Sequence, residues 1–88
     1  MLRRIYQTKF VKDVALIKKH GKCIEKLREI IDLLLEEKPL PVKYKSHKLH
    51  GKYNGYRECH IESDWLLIYM KTKTEVIFAR TGTHSDVF

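Results

Sequence analysis

Eighty-eight residues lie near the lower limit for burying a hydrophobic core, so the chain is read as one domain spanning 1–88. Apolar residues at 43% and charged residues at 33% exclude the composition of a disordered chain. Eighteen Lys plus Arg against 11 Asp plus Glu leave a net charge of +7, the electrostatic footprint expected for a polyanionic partner, nucleic acid first.

The longest apolar runs, Ile30–Ile31 with Leu33–Leu35 and Trp65–Met70, fall short of a membrane span, and Met1-Leu2-Arg3-Arg4 carries no signal-peptide apolar stretch. A cytoplasmic protein without a membrane partner is expected. Cys23 and Cys59 are too few for a disulfide framework and are read as reduced thiols.

In chain order, Arg3–Gln7 is a strand candidate. Thr8 can cap a helix through Lys19, with Phe10, Val14 and Ile17 on one stripe, and His20-Gly21 ends it with a left-handed glycine. From about Cys23 to Glu36, Ile24, Leu27, Ile30, Ile31, Leu34 and Leu35 recur at helical spacing, so this helix should pack on a sheet. Pro39-Leu40-Pro41 stops the helix and opens a basic loop, Lys43 to Lys52, punctuated by Gly51 and Gly55. Three strands follow, Tyr56–Ile61, Trp65–Met70 and Val76–Thr81, joined by connections of hairpin length. The fold class is α+β: β-α-α-β-β-β, two helices on one face of a mainly antiparallel four-stranded sheet.

This topology decides which side chains can meet. In an antiparallel meander the end of one strand lies beside the start of the next, so His60, Asp64, Trp65, Arg80 and Thr81-Gly82-Thr83-His84 fall on one sheet edge. Alternation puts Tyr56, Glu58 and His60 on one face and Arg57, Cys59 and Ile61 on the other. Likewise Trp65, Leu67 and Tyr69 separate from Leu66, Ile68 and Met70.

Tyr44-Lys45-Ser46-His47, Gly55-Tyr56-Arg57-Glu58-Cys59-His60, Asp64-Trp65-Leu66-Leu67-Ile68-Tyr69 and Arg80-Thr81-Gly82-Thr83-His84, with Phe88 four residues on, resemble the YafQ branch of the RelE toxins. The similarity covers nearly the whole chain. It implies the toxin of a type II toxin–antitoxin system, an endoribonuclease cutting mRNA in the ribosomal A site. It also implies a cognate antitoxin whose complex with the toxin binds operator DNA. The active-site positions it carries over are His47, His60, Asp64, His84, Trp65 and Phe88, with Arg80 suited to phosphate contact. Ser46, Lys48, His50 and Cys59 stand where relatives can carry other residues, which bears on sequence preference.

The chemistry can be checked without the family. Strand cleavage needs a base for the 2′-hydroxyl, an acid for the 5′-oxygen and cations for the phosphorane, and histidine titrates near working pH. His84 is therefore one proton-transfer partner, Asp64 or His60 the other, and Arg80 a bidentate phosphate contact. His47 positions substrate from the loop, while Lys43, Lys45, Lys48 and Lys52 touch phosphates. Trp65 and Phe88 can stack on splayed bases, although a strand tryptophan is often core. No cofactor and no metal are expected.

Two other readings fit parts of the sequence. One is a zinc site from His47, His50, Cys59 and His60, disfavoured because Cys59 and His60 point to opposite faces. The other is a non-catalytic nucleic-acid-binding or antitoxin-partner module, which the charge permits.

Overall fold

The computed structural model describes residues 1–88 as a sheet with its two long helices on one side. The elements are β1 (Arg3–Tyr6), α1 (Thr8–Lys19), α2 (Ile24–Leu35), β2 (His47–Lys48), β3 (Arg57–Glu62), β4 (Trp65–Lys71), β5 (Glu75–Gly82) and α3 (His84–Val87). Single 3-10 turns occur at Val42–Tyr44 and Gly51–Tyr53. Strand order is β1-β5-β4-β3-β2, with β1 parallel to β5 and every other pair antiparallel. The α+β expectation holds, with five strands where four are expected: two residues of the basic loop, His47 and Lys48, pair with Glu58 and Arg57.

Local chemistry accounts for the boundaries. Gly21 adopts φ +76°, and the Gly21 and Lys22 amides donate back to the Lys18 and Ile17 carbonyls, closing α1 as a left-handed glycine does. Thr8 is not the cap. The Gln7 amide is still bonded to the Phe78 carbonyl, so the chain passes from β1 directly into a helix whose cap position, Gln7, makes no side-chain bond. At the other end of the chain, Thr83 and Asp86 form a reciprocal capping box that starts α3.

The sheet has two unequal faces. The helix-covered face holds Leu27, Ile30, Leu34 and Leu35 against Cys59, Trp65, Leu67, Val76 and Phe78, each such side chain contributing about 1.5–3 kcal/mol by leaving water. The opposite face carries a smaller cluster, Leu66, Ile68, Ala79 and Val87, packed against Leu49, Tyr53 and Tyr56. No helix is long and apolar enough to cross a membrane.

One polar contact joins three elements. β1 stops opposite Phe78, so further along β5 the Thr81 amide has no strand partner and donates instead to Asp13 Oδ2 from α1 at 3.1 Å. The same carboxylate takes Arg80 Nε at 2.7 Å and Nη2 at 3.1 Å, and Nη2 also donates to the Asp86 carbonyl in α3 at 2.9 Å. The hydrogen bonds it donates to Asp13 hold the Arg80 guanidinium even further above its usual range. Replacing Asp13 with Ala should therefore cost about 3 kcal/mol, because it strands a largely buried cation and an amide. Urea unfolding measures this directly, and a loss under about 1 kcal/mol would show the contact to be peripheral.

Candidate active site

The histidines come together on the sheet face that α1 and α2 leave open. His47 and Glu58 are direct partners across β2 and β3, and His60 lies two residues along β3 on the same face as Glu58. Glu58 is 4% exposed, with Oε1 at 3.1 Å from His60 Nε2 and 3.5 Å from His47 Nε2. His47 Nδ1 lies 3.0 Å from the Lys45 carbonyl. A carbonyl only accepts, so Nδ1 bears a proton and Nε2 is the nitrogen turned toward Glu58. The left-handed backbone of Lys45, φ +48°, aims that carbonyl. Ser46 anchors the loop through Tyr69 Oη at 3.0 Å and Arg57 Nε at 3.3 Å.

His84 enters from α3. Its amide donates to Asp64 Oδ1 at 3.4 Å, and its ring Nδ1 lies 3.6 Å from the same oxygen. The Thr83–Asp86 box fixes this turn, and its backbone bond from the Thr83 amide, followed by the side-chain bond, holds the Asp86 carboxyl below its usual range. Tyr53 Oη secures the other side by donating to the Val87 carbonyl at 3.0 Å. Ring centroids of His47 and His60 are 6.2 Å apart, and those of His60 and His84 are 6.0 Å apart. Phe88 continues the row at 5.9 Å from His84, with Tyr53 edge-on to Phe88 at 5.5 Å.

Of the expected site residues, His47, His60, Asp64, His84 and Phe88 thus lie together, and Lys43, Lys45, Lys48 and Lys52 are exposed along the adjoining loop. Two expectations change. Trp65 is only 1% exposed and donates from Nε1 to Thr81 Oγ1 at 3.0 Å, so it is a core residue with no open face for a base. Arg80 spends its Nε–Nη2 edge on Asp13 and the remaining Nη2 hydrogen on Asp86. No edge is left for bidentate phosphate contact.

Three contributors went unread. Glu58 shares the His60 face by alternation yet was not singled out. Tyr53 gave no signal beyond its place in the loop. The Thr83-Xaa-Xaa-Asp86 spacing is a cap signature that could have shown α3. The zinc set considered from sequence does not assemble: Cys59 is fully buried on the helix side, and burial pushes its thiol up to about 12.

A groove of about 640 Å³ lies elsewhere, between α1 and α2, lined by residues such as Phe10, Val14, Leu27 and Ile31. Its titratable lining residues include Tyr6, Lys18 and Asp32 but no histidine. The histidine row is instead an open, basic surface, a shape that suits an extended polyanion better than an enclosed small molecule.

A family model described as a bacterial toxin of a type II toxin–antitoxin system, YafQ, matches residues 2–88. The mRNA interferase toxin YafQ of Escherichia coli K12 is 44% identical over 84 residues, 94% of this chain and 91% of its own. The crystal structure of the Escherichia coli DinJ–YafQ complex includes a chain with TM-score 0.93 and 42% identity, covering 100% of this chain and 99% of that one. A metal-bound toxin from Helicobacter pylori matches with TM-score 0.93 and 37% identity over the whole of both chains. A match over almost every residue, in sequence and in shape, places this chain in the YafQ family of type II toxin–antitoxin toxins.

Proposed function

We propose that this chain, acting as one domain, is an endoribonuclease that cleaves mRNA on the ribosome by 2′-hydroxyl attack and needs no metal. The observation that carries the reading is the row of three imidazoles about 6 Å apart, flanked by Glu58 and Asp64. The mRNA interferase relative supports the substrate class. His84 transfers one proton and His60 or Asp64 the other. One group takes the proton of the 2′-hydroxyl as its oxygen attacks phosphorus, and the other gives a proton to the departing 5′-oxygen. A 2′,3′-cyclic phosphate and a 5′-hydroxyl result.

With Arg80 engaged by Asp13, charge for the phosphorane comes from Lys45 and its loop neighbours, and His47 positions the substrate beside them. Phe88, 56% exposed beside His84, offers the ring face on which a base can stack. The metal-bound state of the Helicobacter pylori relative is compatible with this scheme, since holding an ion and requiring one are separate properties. The DinJ–YafQ complex supports a cognate antitoxin as partner, and operator DNA is reached only through that complex. The setting is the cytoplasm, where translating ribosomes are found.

His84→Gln keeps size and polarity but cannot exchange protons near neutral pH. Cleavage of translated message should fall by about two to four orders of magnitude, with the unfolding midpoint nearly unchanged. Near-full activity would remove His84 from proton transfer. Protein stripped with EDTA and then added to ribosomes carrying their own Mg²⁺ should still cut and leave 5′-hydroxyl ends. A 5′-phosphate end would make water the nucleophile and end this scheme. For the antitoxin, replacing Lys43, Lys45, Lys48 and Lys52 with Ala should weaken binding and flatten its salt dependence, as measured by titration at two ionic strengths. Unaltered affinity would put the partner on another surface.

A further inference from the structure

We infer that the outward face of α1, carrying Lys9, Lys12 and Lys19, is a second polyanion-binding surface whose occupant is the sugar–phosphate backbone of ribosomal RNA beside the message. The inference rests on the ribosome-bound reading proposed above. Lys9, Lys12, Leu16 and Lys19 are spaced by three, four and three residues, so their side chains share one face of the helix. All four are exposed. Lys18 belongs to the other flank, where it lines the groove against α2. At about 1.5 Å of rise per residue, Lys9 and Lys19 stand about 15 Å apart along the axis, a length over which one strand of a duplex presents about four phosphates.

The charge of this face has no counterpart within the protein. The only acid of α1, Asp13, is turned inward, 9% exposed and bonded to Arg80 and the Thr81 amide. None of the α1 lysines has a carboxylate oxygen within 4.0 Å. α2 is the opposite case. Its two cations are both paired, Lys26 with Glu62 at 2.7 Å and Arg28 with Glu25 at 3.7 Å, and Glu29 and Asp32 add further negative charge. The net charge of +7 is therefore concentrated, and one of the two long helices carries much of it unpaired.

This face also borders the site. Asp13, at its margin, holds Arg80, whose Nη2 donates to the Asp86 carbonyl at 2.9 Å in the turn that carries His84. In the strand order β1-β5-β4-β3-β2, α1 bonds to β5 through the Thr81 amide, while the Lys43–Lys52 loop supplies β2 at the far edge. The row of histidines thus lies between two cationic banks. The loop bank serves the message, a single strand. On a ribosome the polyanion that surrounds a message is ribosomal RNA, and it falls to the α1 bank. Lysine suits this contact, because a compact charge on a flexible stem meets phosphate oxygens without reading bases.

Binding is measured with ribosomes programmed with message, over a series of salt concentrations, using the chain with His84→Gln so that the message stays whole. Changing Lys9, Lys12 and Lys19 together to Gln should weaken binding more than about tenfold at low salt. It should also reduce the slope of log affinity against log salt by about two to three, close to one per phosphate contact. Changing Arg4, Lys18 and Lys73 to Gln removes the same charge elsewhere and should alter affinity and slope far less. In the cleaving protein, the α1 changes should raise KM for programmed ribosomes while kcat stays within about twofold and the melting temperature holds. A photo-cross-linking side chain in place of Leu16 should attach to ribosomal RNA. Attachment to ribosomal protein alone, unaltered affinity and slope after the α1 changes, or equal losses in the two sets overturns this inference. Cleavage of translated message by the unaltered chain would leave the proposed function standing in each of those cases. An unaltered chain that neither binds ribosomes nor cuts translated message defeats that function, and this inference falls with it.

Discussion

The arrangement depends on a strand's two-residue period. In β3, Cys59 and Ile61 turn into the helix-covered core while Glu58 and His60 face away from it. One short segment therefore contributes both to the main core and to the polar surface. A slip of one residue would bury the imidazole and expose the thiol. The β2 pairing reinforces this register by setting His47 opposite Glu58. β4 repeats the division, with Trp65 and Leu67 in the core and Leu66 and Ile68 supporting the small cluster beneath α3.

The second face carries little apolar mass, so polar contacts fix its outer parts. Asp13 reaches from α1 to Arg80, and Arg80 reaches on to the α3 backbone. Tyr53 secures α3 from the loop side. Helix packing is thereby connected to the His84 position. Arg80 is paired with the Asp13 carboxylate, while Lys43, Lys45, Lys48 and Lys52 stand exposed along the loop.

Much of this was legible in the sequence. Periodicity placed the α1 and α2 faces, and alternation along Tyr56–Ile61 and Trp65–Met70 separated core from site. Meander direction brought His60, Asp64 and His84 to one edge. What escaped depends on contacts between residues distant in the chain. Nothing local to Asp13 shows that β1 ends where a carboxylate is needed, so Arg80 read as free for substrate. Trp65 reads as a stacking platform from sequence, and only its burial in the main core and its bond to Thr81 show otherwise. β2 escaped because two residues carry no period of their own.

The parallel pairing of β1 with β5 bears on how the chain reaches this state. Arg3 stands opposite Glu75, so most of the polypeptide must be in place before the first strand finds its neighbour. Until then the apolar stripe of α2, with Ile30 and Leu35 fully buried at the end, has no completed sheet to cover. Closing so long a loop delays the reward for the contacts it permits and slows folding. The half-formed chain is consequently the species most open to aggregation or to capture by a chaperone.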